Sequence, residues 1–578
     1  MKNILQPVFL FSCMVLIFFA ACKSDSGEVI ADTIIFNAVI YTVDPYVTDA
    51  SSMAIKDGEI LAIGEEAEVS LYKGKHTEVI DMEGRFVMPG LIEGHGHFSM
   101  TGKGLLDLNF LDAESWEEIV GMVSGAVADA QPGEWIEGRG WHQEKWKIAP
   151  EKIVSTYPIH DDLSRISPDN PVILRHASGH SIFANAKAME LAGITKESVA
   201  PSGGTIVKDA TGEPIGVFEE RAMRLIYEKY NEYLEGLDQE ALLNKWYLGI
   251  DKAQELCLQN GITSFQDAGS SFEELKRYRQ MAEEGKLKVR LWAMVRHSSE
   301  VLAKGLMDYP VIDAGNGYFT CRAIKSELDG ALGVFGAWKI RPYADKPGYV
   351  GHNTTRITEL QAIADLALQH DMQLCVHAIG DRANREFLNM CDSLWQIHPS
   401  GPQKRWRSEH AQHLDTTDIL RFVPLGIYAS MQGIHCTSDA PFVVRRLGPD
   451  RARRGAYAWR SLLDAGVVIN NGTDVPVEKI DPFACLYASV SRRRPDSGLE
   501  FFPEQAMTRA EAIYSYTMAN ALAAFEEKQK GSLSSGKKAD FIVLSNDLLN
   551  CPEEEILTTQ VLQTWIDGKK LWEQPLIK

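Results

Sequence analysis

The chain has little positive charge for its size. Its 59 Lys and Arg stand against 79 Asp and Glu, a formal net charge of −20 over 578 residues. Nucleic-acid binding leaves a basic footprint, so this balance argues against a nucleic-acid partner, and equally against electrostatic adhesion to anionic lipid. Cysteine is sparse and unpatterned. No two cysteines form Cys-x-x-Cys, and the seven after residue 22 (Cys257, Cys321, Cys375, Cys391, Cys436, Cys485 and Cys551) are odd in number and mostly set in apolar segments. They read as buried small hydrophobes rather than a disulfide framework. No internal repeat or low-complexity tract is present, and no apolar run reaches the about 20 residues of a membrane-spanning helix.

The nearest to such a run lies at the start. Lys2 precedes the apolar stretch Val8 to Phe19, which ends in Ala20-Ala21-Cys22. A cationic head, about a dozen apolar residues and small residues before a cleavage point describe an export signal. The cysteine after Ala-Ala resembles a bacterial lipobox, with Phe19 in place of the commoner Leu. Residues 1–21 are therefore expected to be a lipoprotein signal peptide and 22–31 a tether. The exported protein is then expected to be held on a cell-envelope membrane by lipid on Cys22. The alternative is a plain signal with an incidental cysteine.

The remaining chain is long enough, and at 45% hydrophobic apolar enough, for more than one domain. Residues 32–90 read as short strands, with Asp57-Gly58 as a hairpin turn, and the far end repeats this character at 539–544, 561–566 and 569–572. A β-sandwich assembled from both termini, 32–90 with 525–578, is expected. Between them strands alternate with helices. The expected strands are Leu91–His97, Gly261–Gln266, Val289–Val295, Cys321–Ser326, Gln373–His377, Trp406–His410, Gly426–Met431 and Val467–Asn471. Eight such units over 91–524 predict an α/β fold of the (β/α)8 TIM-barrel type, with its active site at the C-terminal strand ends. The gap between His97 and Gly261 far exceeds one crossover, so a subdomain inserted after strand 1, about 105–221, is expected to roof the pocket.

The first strand ends in His95-Gly96-His97. Residues two apart on a strand share a face, so both imidazoles point together, at a separation suited to one divalent ion. An isolated His-x-His is commonly chance. Here Lys325, His377, His410 and Asp474 also fall at strand ends, and His435 lies just past the end of strand 7.

Seven segments carry a wider resemblance: Pro89-Gly-Leu-Ile-Glu-Gly-His-Gly-His97, His180-Ser-Ile-Phe-Ala-Asn185, Lys325-Ser-Glu-Leu-Asp-Gly-Ala-Leu-Gly333, Val376-His-Ala-Ile-Gly-Asp381, Ser408-Glu-His-Ala-Gln412, Ser430-Met-Gln-Gly-Ile-His435 and Gly472-Thr-Asp-Val-Pro476. Together they resemble the amidohydrolase superfamily, in the branch that includes N-substituted formamide deformylases, over about 32–572. The resemblance implies a hydrolase acting on C–N bonds of small amide-type substrates through a metal-bound hydroxide. It implies one or two divalent ions, with zinc expected for these N/O ligands although imidazole also suits iron and nickel. Lys325, carboxylated by CO2, would bridge the two ions. His95, His97 and Asp474 would hold one of them, and His377 and His410 the other. Asp474 would shuttle the proton, while His180 and His435 would steady the substrate carbonyl.

Local alternatives stand beside these roles. Lys325 would otherwise be a buried lysine paired with Glu327 or Asp329, and His180 an ordinary histidine of the insertion. Asn185 would be a helix cap, and Asp329 and Asp381 orienting or turn residues. Trp141, Trp146 and Trp338 are candidates for an apolar pocket wall, although most of the 12 Trp should be core. Two departures bear on substrate choice: His142 stands where this branch often carries Asp, and Val334-Phe335 predicts a more apolar wall. Rival functions are a mononuclear deaminase-type hydrolase and a surface lipoprotein that binds a ligand without turning it over.

Overall fold

The computed structural model describes residues 29–575. The expected signal peptide, Cys22 and most of the tether lie outside the described residues.

The centre is a parallel barrel of eight strands: β1 (Leu91–Gly96), β2 (Ile262–Ser270), β3 (Arg290–Val295), β4 (Phe319–Glu327), β5 (Gln373–Ala378), β6 (Arg407–His410), β7 (Tyr428–Gln432) and β8 (Ile469–Gly472). Each pairs in parallel with the next. The ring closes where the Asp474 N–H donates to the His95 carbonyl (2.8 Å) and the His97 N–H to that of Val475 (2.7 Å). Every residue of β1, β3 and β5 is buried, because helices cover the outer face while the inner face fills the barrel. This explains why β3 reads, after Arg290, as a continuous apolar run rather than an alternating one. The covering helices include Gln239–Gln259, Phe272–Glu283, Ile357–Gln369 and Asp381–Ile397. Phe272–Glu283 starts with a reciprocal capping box between Ser271 and Glu274.

Close backbone approach requires glycine at the β1/β8 seam. A Cβ on Gly472 would lie 2.3 Å from Glu93 Oε1 and 2.5 Å from the His95 nitrogen, and one on Gly94 would lie 2.4 Å from the Asn471 carbonyl oxygen. Glu93 fastens the seam by accepting from the Thr473 N–H (2.6 Å) and hydroxyl (3.0 Å).

Two further sheets lie outside the barrel, and the two chain ends join in the second. One holds Thr33–Phe36, Ser52–Lys56, Glu59–Gly64 and Glu78–Asp81; the other joins Val39–Ile40 and Phe86–Pro89 to Phe541–Leu544, Val561–Ile566 and Lys569–Glu573. The expected single strand over 33–40 breaks in two, because Asn37 takes φ 53° and carries the chain from one sheet to the other. Arg290, at the start of β3, ties this region to the barrel. It binds Asp540 bidentately (2.7 and 2.9 Å) and reaches Asp567 (2.6 Å).

The long connection after β1 builds its own six-stranded sheet from Leu108–Asn109, Ile136–Trp141, Val172–His176, Ser181–Ala184, Gly204–Lys208 and Pro214–Glu220. Its apolar core contains Trp116, Trp141 and Phe183. The same segment contributes Arg139, His142, Arg175, His180 and Glu220 to the wall of a cavity of about 520 Å³ over the C-terminal mouth of the barrel. The seven cysteines in the described part are all free, and six are buried.

Candidate metal centre

The alternation of β1 brings His95 and His97 to the same end of the barrel, with ring centroids 5.7 Å apart. His95 is fully buried. Its Nδ1 meets Glu409 on β6, which also binds Arg407 (Nε to Oε1, 2.6 Å). A carboxylate on Nδ1 fixes that nitrogen as the N–H donor and leaves the Nε2 lone pair facing inward. From there His95 Nε2 lies 3.7 Å from Asp474 Oδ1 and 3.5 Å from Lys325 Nζ, and His97 Nε2 lies 3.3 Å from the same Asp474 oxygen.

The neighbouring strands complete the cup. His410 stacks edge-on to His95 and His377, with centroids 4.7 and 4.4 Å apart, and its Nδ1 donates to Gln432 Oε1 (2.8 Å), again freeing Nε2. His435 has the opposite arrangement. Its Nδ1 accepts from Gln412 Nε2 (3.0 Å), so the proton sits on Nε2, 3.9 Å from Asp474 Oδ2. The histidine network thus offers lone pairs at His95 and His410 and a donor at His435. Both His410 and Asp474 hold left-handed backbone, φ 75° and 60°. Such strain costs about 1–3 kcal/mol per residue and concentrates at functional sites.

The donor set fits a divalent ion. His95, His410 and Asp474 each offer a ligand atom within 4.8 Å of the others. Two donors about 2.1 Å from one ion at a tetrahedral angle sit about 3.4 Å apart, close to the spacings around Asp474 Oδ1. Among the described residues, Asp474 Oδ1, His377 Nε2 and His435 Nε2 are buried without a hydrogen-bond partner. Nitrogen and carboxylate donors suit zinc and its neighbours.

Burial governs the protonation of these groups. It pulls His97 down to about 4 and His95, His377 and His410 below the ordinary imidazole value, so the imidazoles are neutral and ready to ligate. Burial alone would raise Asp474, but the facing imidazoles hold it below the usual carboxylate range. Burial would likewise raise Glu409, and Arg407 with His95 overcomes it. The Lys325 ammonium is lowered by burial.

Lys325 is buried and makes no ion pair with either Glu327 or Asp329. Arg296 holds Glu327 (2.5 Å), and Asp329 accepts from the backbone of Trp338, Ile379 and Gly380 at 2.7–2.9 Å. Asp329 therefore acts as a turn residue, and Asp381 pairs with Lys339 (3.3 Å). His180 faces the cavity, bonded to Glu220 (3.0 Å) and 5.2 Å from the His377 ring. Burial alone would lower His180, but Glu220 raises it above the ordinary imidazole value. Asn185 caps the helix Ala186–Leu191 by accepting from the Ala188 N–H (2.9 Å). His142 and Val334 line the cavity, but Phe335 does not; it lies beneath the Arg446 guanidinium (3.9 Å). Trp141 is core, its indole N–H donating to the Leu174 carbonyl. Glu409, Gln412 and Gln432 carry orienting roles that sequence reasoning missed. Their motifs were visible, but Glu409 meets His95 across 314 positions of chain.

The chain has relatives among known proteins. A family model described as "Amidohydrolase family" matches residues 78–571. The chain is 30% identical over 556 residues to Protein LONG AFTER FAR-RED 3 of Arabidopsis thaliana, spanning 94% of this chain and 92% of that one. It is 27% identical over 566 residues to the N-substituted formamide deformylase of Arthrobacter pascens, spanning 94% and 98%. The crystal structure of an uncharacterized metal-dependent hydrolase from Pyrococcus horikoshii OT3 superposes with a TM-score of 0.70 at 25% identity, over 90% of this chain and 99% of that one. The chain belongs to the amidohydrolase family.

Proposed function

We propose that this protein hydrolyses the C–N bond of small amide-type substrates, N-formyl, N-acyl or related, at the centre beneath the insertion. The observation that carries the reading is the convergence of His95, His97, His410 and Asp474, joined by Lys325 and His377, on one buried cup open to the cavity. His95, His97 and Asp474 would hold one ion, His377 and His410 a second, and Lys325, carboxylated by CO2, would lie between them. When bound, such an ion lowers the pKa of a coordinated water and polarises the scissile carbonyl. Asp474 takes the proton of the attacking water and returns it to the leaving nitrogen as the C–N bond breaks. The His435 Nε2–H, fixed by Gln412, donates to the carbonyl oxygen as negative charge builds there. His180, which Glu220 holds, would hydrogen-bond the substrate from the roof.

A second reading draws on the compactness of His95, His410 and Asp474, which suffice for one ion and suit a deaminase-type hydrolase. Metal content measured with and without bicarbonate, alongside turnover of amides and amino-heterocycles, separates the two. Two ions, bicarbonate dependence and release of amine with carboxylic acid support the first reading. One ion with ammonia release supports the second, and no turnover of either class at full metal occupancy rejects both.

We also propose that residues 1–21 are removed on export and that Cys22 carries lipid. Mass spectrometry of the N-terminal peptide from the membrane fraction tests this, and a mature chain starting elsewhere than Cys22 refutes it.

A further inference from the structure

The chain is strongly acidic, yet the cavity holds two guanidinium groups of its wall, Arg139 and Arg175, that form no ion pair with a carboxylate. Apart from Asp474, which belongs to the metal centre, the acidic groups of the cavity wall already have partners. Glu478 binds Lys145 (2.5 Å), Glu327 binds Arg296 (2.5 Å), Glu220 binds His180 (3.0 Å) and Asp439 accepts from the Tyr457 hydroxyl (2.7 Å). Among the described residues, neither Arg139 nor Arg175 has a carboxylate oxygen within 4.0 Å of its nitrogens.

Arg139 is only 8% exposed. Its terminal nitrogens donate to the carbonyls of Pro476 and Ala177, and its Nε finds no partner among the described residues. Arg175 reaches only the Met100 sulfur (3.4 Å), and its buried Nε is likewise unpartnered. The space beside Arg175 is kept clear by Gly179, at φ 77°, where a Cβ would stand 3.2 Å from Nη2. A buried guanidinium without a paired carboxylate is unfavourable, so Arg139, with the half-buried Arg175 beside it in a ligand cavity, calls for an anion from outside the chain. Their anchors fix where it would sit. Pro476 lies two residues after Asp474 and Met100 three after His97, so the pair flanks that edge of the centre.

Resting on the amide-hydrolase reading for the reaction itself, we propose that Arg139 and Arg175 form a carboxylate-binding subsite and that the substrates are amides bearing a carboxylate, of the N-acylated amino acid kind. The planar guanidinium fork matches a carboxylate's two oxygens, and a cavity of about 520 Å³ admits a molecule of this size beside the metal centre. The insertion therefore selects substrate by charge, while the barrel supplies the chemistry.

The test uses the metal-loaded protein and a matched pair, N-acetylphenylalanine and N-acetyl-2-phenylethylamine, which differ by the carboxylate. Thermal-shift titration reads binding, and amine release reads turnover. The carboxylate compound should bind and react better by a factor on the order of 10–100, and Arg139→Gln or Arg175→Gln should each bring the ratio toward one. Arg175→Gln guards against misfolding of the more buried Arg139 variant, and Arg139→Lys should restore the preference only partly. Equal binding of the two compounds, no binding of either, or a preference that survives both Gln variants overturns the subsite. Hydrolysis of the neutral amide alone overturns the subsite and leaves the amide-hydrolase reading standing. Binding of the carboxylate compound without hydrolysis of any amide does the reverse.

Discussion

Replacing Glu409 with Gln probes the link between barrel interior and metal cup. Glu409 is fully buried, with one oxygen 2.6 Å from Arg407 Nε and the other on His95 Nδ1. Glutamine keeps the shape but has one acceptor oxygen where the carboxylate has two, and its NH2 faces a donor whichever way it turns. Arg407 still donates to Gln266 (2.7 Å), the Gly94 carbonyl (2.9 Å) and Ser430 (2.7 Å), but its charge loses its closest counter-ion. Breaking a buried pair from one side costs about 3–5 kcal/mol. Removing the carboxylate behind a ligand histidine typically costs about 10–100-fold in metal affinity. Urea unfolding of the metal-stripped protein measures the first quantity, and zinc competition against a chelator of known affinity the second. Both losses are expected together. A variant that loses stability yet binds zinc within about threefold of wild type would show that Glu409 serves Arg407 alone and does not orient His95.

Four further outcomes are expected from the structure. His97→Ala should lose both metal and turnover while circular dichroism stays native, whereas Asp474→Asn should keep most of its metal and lose turnover; activity retained by either variant removes its assigned role. Gly472→Ala forces a methyl against Glu93 and the His95 backbone, so a stability loss of about 1–3 kcal/mol with weakened metal binding is expected in the same chelator assay, and wild-type values would mean the seam is looser than described. In Asp540, burial works to raise the carboxyl and Arg290 holds it below the usual range. A lowered folded-state value stabilises fully above the unfolded pKa of about 3.9 and is lost as pH falls below it, so the gap in unfolding free energy between wild type and Asp540→Asn should be wide at pH 7 and narrow below pH 4. A gap independent of pH contradicts that ion pair.

The barrel was legible because its strands end in chemistry that alternation can place. His95 and His97 need only the two-residue period of a strand, and His377, His410 and Asp474 need only spacings of about one and two strand–helix units. The same reasoning stops where tertiary packing decides. β2 runs on through Asp267-Ala-Gly-Ser270, a poor strand composition, because a bulge with Gly269 at φ 124° lets Ser270 pair with Val295. Phe335 turns away from the cavity because Arg446 covers its face. The insertion hid its six-stranded sheet because its strands pair out of sequence order, and with it the position of Arg139 and Arg175. Polar partners such as Glu409 and Gln432 lie beside recognisable histidines, yet a linear reading does not say which ring nitrogen they hold.

Crystals of the zinc-loaded protein, with anomalous data collected on both sides of the zinc edge, would show directly whether the cup holds an ion. A strong anomalous peak is expected about 2.0–2.2 Å from His95 Nε2 and Asp474, with His97 and His410 pointing into the same cup. Stoichiometric zinc bound elsewhere, with these side chains still bonded only to one another, would contradict a metal centre at the barrel mouth.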